Sequence, residues 1–361
     1  MIRKKYLFVS RFLKGGGAER FVSVFSSYLA DCGYDIHLVL YEKTETDYPI
    51  SDNVKIHMMP KRNDNLNGKM SRLHDLGCII SEINPDYIIP FLNNIVIQSF
   101  FCSLVRKTKF IYTVRIVPSH QIGNRAVKLV NKFIVQFSDA IMLQTWEQSE
   151  YYPKKYLKKM YVVPNPIDKQ FVDNGKENYR ESEDINITCV GRLCKQKRFP
   201  TVIDVVAELR DKFPRLNVNI YGEGELKDEL EKQIICLNVE DNCYLRGRTN
   251  DIIGVLKNTD IFIMASAFEG MPNALLEAMA VGVPCISTDC PTGPKDMIKH
   301  GINGLLYETD NYEELKETLV WALKNRAEMN RLGKNARTDV LAKYTMESSK
   351  DRFIDMCKEI S

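Results

Sequence analysis

The chain has 361 residues, more than one hydrophobic core usually encloses, and 44% of them are hydrophobic, which suffices for two cores. The net charge is only +3, although residues 1–165 carry 23 Lys and Arg against 14 Asp and Glu and the remainder is acidic. This asymmetry argues against a nucleic-acid-binding protein, which would be basic throughout, and favours an anionic surface or substrate for the first half.

The N-terminus and the cysteines narrow the class of protein further. The apolar run Tyr6–Val9 is too short for a signal peptide, and no run of about eighteen apolar residues follows, so we expect a cytoplasmic protein. Ten cysteines include no CxxC pair, and five histidines show no ligand spacing. The sequence therefore predicts reduced thiols and no metal site. His37, inside a predicted strand, is expected to be structural.

Apolar, β-rich runs alternate with amphipathic stretches along the whole chain, and the predicted strands are listed in chain order. The first half contains 6–10, 36–41, 54–59, 87–91, 110–114, 140–143 and 161–163, and the second half contains 185–190, 217–221, 243–245, 261–264, 284–288 and 305–307. Apolar strands separated by helices are typical of parallel sheets covered on both faces, and so of two Rossmann-like domains. Two prolines, Pro164 and Pro166, predict the domain boundary near residue 167.

The first candidate binding loop is Gly15-Gly16-Gly17-Ala18-Glu19-Arg20, between a strand and a helix. Glycines at such a turn let a ligand approach the backbone closely. The loop does not match the dinucleotide pattern GxGxxG, and tight packing alone would also explain three glycines.

Residues 151–161 mix four lysines, Lys154, Lys155, Lys158 and Lys159, with aromatic and aliphatic residues. This composition suits contact with an anionic membrane surface. A solvated charge run is the alternative.

The segment Val190-Gly-Arg192 to Pro200 directly follows the first strand of the predicted second domain. Ligands bind at the carboxyl ends of parallel strands, so Arg192 and Lys197 are candidates to neutralise a diphosphate leaving group. A solvated basic loop is the alternative interpretation.

The most informative segment is Ser266 to Pro284, where a loop enters a helix predicted over residues 273–280 with Asn273 as its N-cap. The backbone N–H groups at such a helix start bind anions. Glu269 and Glu277 flank this turn and can accept hydrogen bonds from sugar hydroxyls, so together they indicate a nucleotide sugar. Each glutamate alone would be interpreted as an exposed surface residue.

Glu269 to Pro284 resembles the signature of the retaining, nucleotide-sugar-dependent glycosyltransferases with the GT-B fold, known as group 1 or family 4-like. The resemblance implies an α/β fold of two Rossmann-like domains whose parallel sheets face each other across a cleft. It implies an N-terminal acceptor domain at 1–167, a C-terminal donor domain at 168–345, and a last helix at 346–361 that returns to the first domain.

The resemblance also implies roles for individual residues. Arg192 and Lys197 bind the donor phosphates and, with Glu269, form the candidate catalytic set, while Glu277 holds the ribose hydroxyls. Relatives place a His after the strand at 110–114, whereas this chain has Arg115, so Arg115 and the nearby His120 are candidate contacts for an acceptor or a phosphate. The remaining implied donor contacts are Gly16, Gly17, Gly222, Gly270, Met271, Pro272, Asn273 and Ala274.

The sequence thus predicts a retaining, metal-independent glycosyltransferase without a cofactor, moving a sugar from a nucleoside diphosphate, UDP above all, to a glycan hydroxyl. The expected acceptor is anchored by polyprenyl diphosphate, as in synthesis of bacterial capsule or O-antigen, and the expected location is the inner face of the cytoplasmic membrane. Two alternatives remain open: a sugar-nucleotide epimerase on the same fold, and a non-catalytic subunit that binds nucleotide sugars.

Overall fold

The computed structural model describes residues 3–44, 48–62, 66–91, 93–117, 125–176, 179 and 183–361. It divides into two compact units. Unit 1 comprises Met1–Pro166 and Met346–Ser361, and unit 2 comprises Ile167–Thr345.

Unit 1 contains a parallel sheet of seven strands in the order β3-β2-β1-β4-β5-β6-β7. The strands are β1 (Lys5–Ser10), β2 (Asp35–Leu40), β3 (Lys55–Met58), β4 (Tyr87–Pro90), β5 (Lys109–Thr113), β6 (Ala140–Leu143) and β7 (Met160–Val162). The helices that connect them are α1 (Gly17–Asp31), α2 (Leu66–Ile83), α3 (Asn93–Arg106) and α4 (Arg125–Phe137).

Successive residues of a strand point to opposite faces, and the central strands of this sheet are buried on both faces, whereas the edge strand β3 is largely exposed. In β1, Phe8 packs into the hydrophobic cluster on one face, whereas Leu7 and Val9 pack into the cluster on the other. The continuous apolar run of the sequence therefore has its physical reason in helices on both sides.

Unit 2 begins with the short helix α5 (Lys169–Asp173) and contains a parallel sheet of six strands in the order β10-β9-β8-β11-β12-β13. Its strands are β8 (Ile185–Val190), β9 (Leu216–Tyr221), β10 (Cys243–Gly247), β11 (Ile261–Met264), β12 (Cys285–Thr288) and β13 (Leu305–Tyr307). Its further helices are α6 (Phe199–Leu209), α7 (Lys227–Cys236), α8 (Ile252–Lys257), α9 (Asn273–Val281), α10 (Pro294–Met297), α11 (Tyr312–Lys324) and α12 (Arg326–Lys343).

The last helix, α13 (Met346–Glu359), belongs to unit 1. Phe353 is fully buried and its ring centroid lies 5.8 Å from that of Tyr6 in β1. The Ser349 hydroxyl donates to the carbonyl of Pro164 (3.1 Å), and the Tyr87 hydroxyl donates to the carbonyl of Cys357 (2.8 Å). Helix α13 therefore contributes to the core of the first unit.

The predicted fold class, two parallel α/β sheets, is confirmed, and all thirteen predicted strands are present with ends shifted by two residues at most. Across the described ranges, every helix falls short of the length and hydrophobicity that crossing a bilayer requires.

Candidate functional site

The sheet of unit 2 reverses its winding between β8 and β11, which lie side by side. The chain leaves β8 toward β9 on one side and leaves β11 toward β12 on the other, so the loops after these two strands diverge around a crevice. Both predicted donor motifs lie there, because Arg192 and Lys197 follow β8 and Glu269 follows β11. Doubly wound sheets bind ligands at this position.

Lys197 and Glu269 form an ion pair that joins these two loops. The Lys197 Nζ lies 2.6 Å from the Glu269 Oε1, and their side chains are 19% and 10% exposed. The interpretations of Lys197 as part of a solvated loop and of Glu269 as an exposed residue are therefore wrong. A pair of this kind keeps a cation and a carboxylate at fixed positions beside the crevice.

Gln196 and Thr292 hold the Glu269 loop, and neither is predicted as a site residue from the sequence. The Gln196 side chain donates to the carbonyl of Phe268 (2.7 Å), and the Gln196 carbonyl accepts from Ala267 N–H (2.8 Å). The Thr292 hydroxyl donates to the carbonyl of Glu269. No sequence pattern predicts the left-handed backbone of Thr292 (φ 61°). The position of Gln196 between two lysines of the motif, in contrast, could have indicated that it belongs to the site.

Glycines allow the loops of unit 2 to pack closely. A Cβ at Gly222 would collide with the carbonyl of Gly191, and a Cβ at Gly224 would collide with the backbone of Leu193. A Cβ at Gly191 would lie 3.0 to 3.3 Å from the aliphatic carbons of Lys197, so this glycine makes room for the lysine stem. These contacts give the turn at Gly222 and Gly224 a structural role, because it packs against the backbone on both sides of Arg192.

Helix α9 begins at the Glu269 loop, and one prediction about it is wrong. Asn273 is the first helical residue, and the N-cap is Pro272, with extended backbone and no side-chain hydrogen bond. The carbonyl of Pro272 accepts the first helical hydrogen bond, from Leu276 N–H (3.1 Å), so the helix starts one residue earlier than an Asn273 cap would require. The Pro272 side chain cannot accept a hydrogen bond, so it leaves the backbone N–H groups at the amino end of α9 uncapped.

Glu277 lies one turn inside α9 and is only 7% exposed, so its interpretation as a surface residue is wrong. The predicted donor contacts Gly270, Met271 and Pro272 are buried, and Asn273 and Ala274 are half-buried. Two buried carboxylates, Glu269 and Glu277, thus flank the same turn. This is the arrangement that the hydroxyl-binding hypothesis requires.

Arg192 differs from the other charged residues of the site. Its side chain is exposed, and it forms no ion pair or side-chain hydrogen bond with any other residue that the structure describes. Lys197 is already paired with Glu269, whereas the Arg192 guanidinium remains available to an anion and can bind two of its oxygens at once.

In unit 1, Gly16 and Gly17 lie at the amino end of α1, directly after β1. Gly16 is the N-cap, in extended conformation, and Gly15 before it has a positive φ of 78°. A Cβ at Gly16 would collide with the carboxylate of Glu19, which is 8% exposed. The glycine turn thus brings an acidic side chain over the start of the helix, where the macrodipole favours negative charge.

Arg115 follows β5 and stacks on aromatic rings. Its guanidinium carbon lies 3.8 Å from the ring centroid of Phe21 and 4.9 Å from that of Phe91, and Nη1 donates to the Asn165 Oδ1 (3.1 Å). The Nε and Nη2 groups are buried and have no hydrogen-bond partner within the described part of the chain. Burial lowers the pKa of Arg115 to about 9. His120, the other candidate here, lies outside the described residues.

The lysine-rich segment does not present four equivalent charges. The Lys159 Nζ donates to three backbone carbonyls at the end of α4, those of Val135 (2.6 Å), Gln136 (2.9 Å) and Ser138 (3.0 Å). Burial lowers the pKa of Lys159. Lys159 therefore caps a helix, and its assignment to a lipid-facing set is wrong, whereas Lys154, Lys155 and Lys158 are exposed.

Comparisons with known proteins agree with this architecture. Residues 172–339 match the family model of glycosyl transferases group 1, and residues 12–145 match that of glycosyl transferase 4-like proteins. An uncharacterised glycosyltransferase of Methanocaldococcus jannaschii is 30% identical over 65% of this chain, and the match spans 63% of that relative's length, just under two thirds. The UDP-Gal:alpha-D-GlcNAc-diphosphoundecaprenol alpha-1,3-galactosyltransferase of Escherichia coli is 26% identical over 90% of this chain and 89% of its own.

Solved structures show the same fold. Anabaena HepE in complex with UDP superposes with a TM-score of 0.80, covering 98% of this chain and 100% of HepE at 15% identity. At this identity the likeness concerns the fold alone, which is the GT-B fold predicted from the sequence.

Proposed function

Since the chain belongs to the group 1 glycosyltransferases, we propose that it transfers a sugar from a UDP-sugar to a hydroxyl of a lipid-linked glycan, with retention of configuration. The observation that carries this proposal is the ion pair between Lys197 and Glu269 at the reversal point of the unit 2 sheet. It places a fixed cation and a fixed carboxylate where a doubly wound sheet binds its ligand.

The donor site is proposed on unit 2. Arg192, Lys197 and the amino end of α9 bind the diphosphate, and Glu277 accepts hydrogen bonds from the ribose hydroxyls. Glu269 contacts the transferred sugar or its phosphate. As the bond between sugar and phosphate breaks, negative charge grows on the diphosphate, and the positioned cations stabilise it. This role requires no divalent metal, so transfer should persist in the presence of EDTA.

The acceptor site is proposed on unit 1, with Arg115 as a contact for an acceptor phosphate. Two nitrogens of the stacked guanidinium, Nε and Nη2, have no partner in the described part of the chain, and phosphate oxygens would satisfy them. His120 remains a candidate of the same site. The name of the Escherichia coli relative describes transfer to a diphosphoundecaprenol-linked sugar, which supports a polyprenyl diphosphate acceptor. We further propose that transfer takes place at the inner face of the cytoplasmic membrane.

The test is a transfer assay with UDP-, GDP- and ADP-sugars and a synthetic polyprenyl-diphosphate sugar as acceptor. We expect a UDP-sugar to raise the melting temperature and to yield a glycan whose anomeric configuration matches the donor. An isomerised nucleotide sugar formed without acceptor would instead support an epimerase. Glu269→Gln should abolish transfer while the protein stays folded, and full transfer by this variant would refute the catalytic assignment.

A further inference from the structure

Helices α3 and α4 of unit 1 expose an unusual amount of apolar surface. Among the described residues fifteen large hydrophobic side chains are exposed, and six of them lie on these two helices. We call this surface the α3–α4 face, and it consists of Phe101, Leu104, Val105, Leu129, Phe133 and Phe137, exposed by 45 to 80%. Such a concentration exceeds the scattered apolar residues normal for protein surfaces and marks an interaction site.

The aromatic rings show that the face is continuous. The ring centroid of the buried Phe100 lies 5.9 Å from that of Phe101 on its own helix and 6.0 Å from that of Phe133 on α4. The centroids of Phe133 and Phe137 are 4.5 Å apart. One apolar surface therefore runs from α3 across to the end of α4.

The charged residues that α3 and α4 themselves carry are all cationic. Neither α3 nor α4 contains an Asp or Glu. The exposed cations Arg106, Lys107, Lys128 and Lys132 form no ion pair with any other residue in the described ranges. An apolar strip bordered by unpaired cations is typical of a protein surface that lies in an anionic lipid interface.

A groove of about 610 Å³ along α4 extends this surface. It is lined by Phe133 of the α3–α4 face, by the bordering Lys128 and Lys132, and by three tyrosines from the segment after β6, Tyr151, Tyr152 and Tyr156. Tyrosine is enriched where membranes meet water, because its ring is apolar and its hydroxyl is polar.

We propose that the α3–α4 face inserts into the interfacial layer of an anionic phospholipid bilayer. This inference rests on the proposed function, and the α3–α4 face would be the surface of unit 1 that meets the membrane carrying the acceptor. A second copy of this chain is the competing occupant, but a symmetric contact would bring two cationic faces together. Charge complementarity thus selects anionic lipid over self-association.

The experiment is co-sedimentation of the whole protein with vesicles of phosphatidylcholine, alone or mixed equally with phosphatidylglycerol. The double variant Phe133→Ser/Phe137→Ser should lower the partition into mixed vesicles by about tenfold or more. The reason is that two half-exposed phenylalanine rings would no longer move apolar surface from water into the bilayer. The matched control is Ile235→Ser/Trp321→Ser, which removes two residues of unit 2 that are 59% and 42% exposed. It should bind like the unmodified protein.

The cationic part has its own variant, Lys128→Gln/Lys132→Gln, which should weaken binding to mixed vesicles about tenfold and leave the weak binding to neutral vesicles unchanged. Equal binding of the unmodified protein to both vesicle types would overturn the proposal. So would equal binding by the phenylalanine variant and its control. A dimer in sedimentation analysis that Phe133→Ser/Phe137→Ser dissociates would also overturn it and assign the face to a second copy.

UDP binding and transfer to a soluble acceptor separate this proposal from the proposed function. The phenylalanine variant should retain both, which also shows that it is folded. If the unmodified protein binds mixed vesicles but neither UDP nor other nucleotides, the proposed function fails while the membrane surface stands.

Discussion

Replacement of Arg192 by Gln should weaken the binding of UDP while leaving the free energy of unfolding almost unchanged. The side chain is exposed and unpaired among the described residues, so its loss should change the free energy of unfolding by no more than about 0.5 kcal/mol. A hydrogen bond to a charged group contributes about 1.5 to 3 kcal/mol, so UDP affinity should fall by about one to two orders of magnitude.

Isothermal titration with UDP measures the affinity, and thermal unfolding without ligand measures the stability. The matched control is Lys195→Gln, which removes an exposed cation three residues away in the same loop and should change the affinity less than threefold if only screened long-range charge is lost. Equal losses of affinity in the two variants would show that the loop acts through its net charge. An unchanged affinity in Arg192→Gln would refute the diphosphate role.

Three further predictions concern stability. Lys197→Met should destabilise the fold by about 2 to 3 kcal/mol, because it leaves the buried Glu269 carboxylate unpaired. In a double-mutant cycle, adding Glu269→Gln should recover part of that loss of stability. Additive effects of the two substitutions would contradict the coupling. Gly222→Ala, whose Cβ would collide with a backbone carbonyl, should lower the melting temperature more than Gly301→Ala, which also has a positive φ but open space; equal shifts would contradict the packing argument. Burial lowers the pKa of His37 from 6.5 to about 4, so between these values the unfolded chain binds a proton that the folded chain does not. The free energy of unfolding should therefore fall as the pH drops below 6.5, by about 2 kcal/mol at pH 5. His37→Gln should make the free energy of unfolding less dependent on pH in this range.

The sequence predicts the fold well because strands such as β1, β4 and β11 are continuous apolar runs buried on both faces. Leu7, Phe8 and Val9 all lie in core clusters, so no alternation was needed to recognise the strand. The start of α9 was predicted less well. An asparagine is a good N-cap by preference, but Pro272 takes that position at α9. Preferences of single residues are weak where the loop before a helix is fixed by tertiary contacts.

The candidate site was also predicted only in part. Glu269 and Glu277 were chosen for their spacing and both are buried beside the same turn, but the ion pair from Lys197 could not be foreseen from residues 72 positions apart. Pairing across such a separation depends on the adjacency of β8 and β11 in the sheet. Lys159 shows the reverse error, because composition alone cannot distinguish a lysine that caps α4 from one that meets solvent.

The central claim is that the loops after β8 and β11 bind the diphosphate and ribose of a UDP-sugar, and a crystal structure with UDP bound tests it most directly. We predict phosphate oxygens at hydrogen-bonding distance, about 3 Å, from Arg192 and Lys197, and ribose hydroxyls donating to the Glu277 carboxylate. UDP bound elsewhere, with the loops after β8 and β11 empty, would contradict the account.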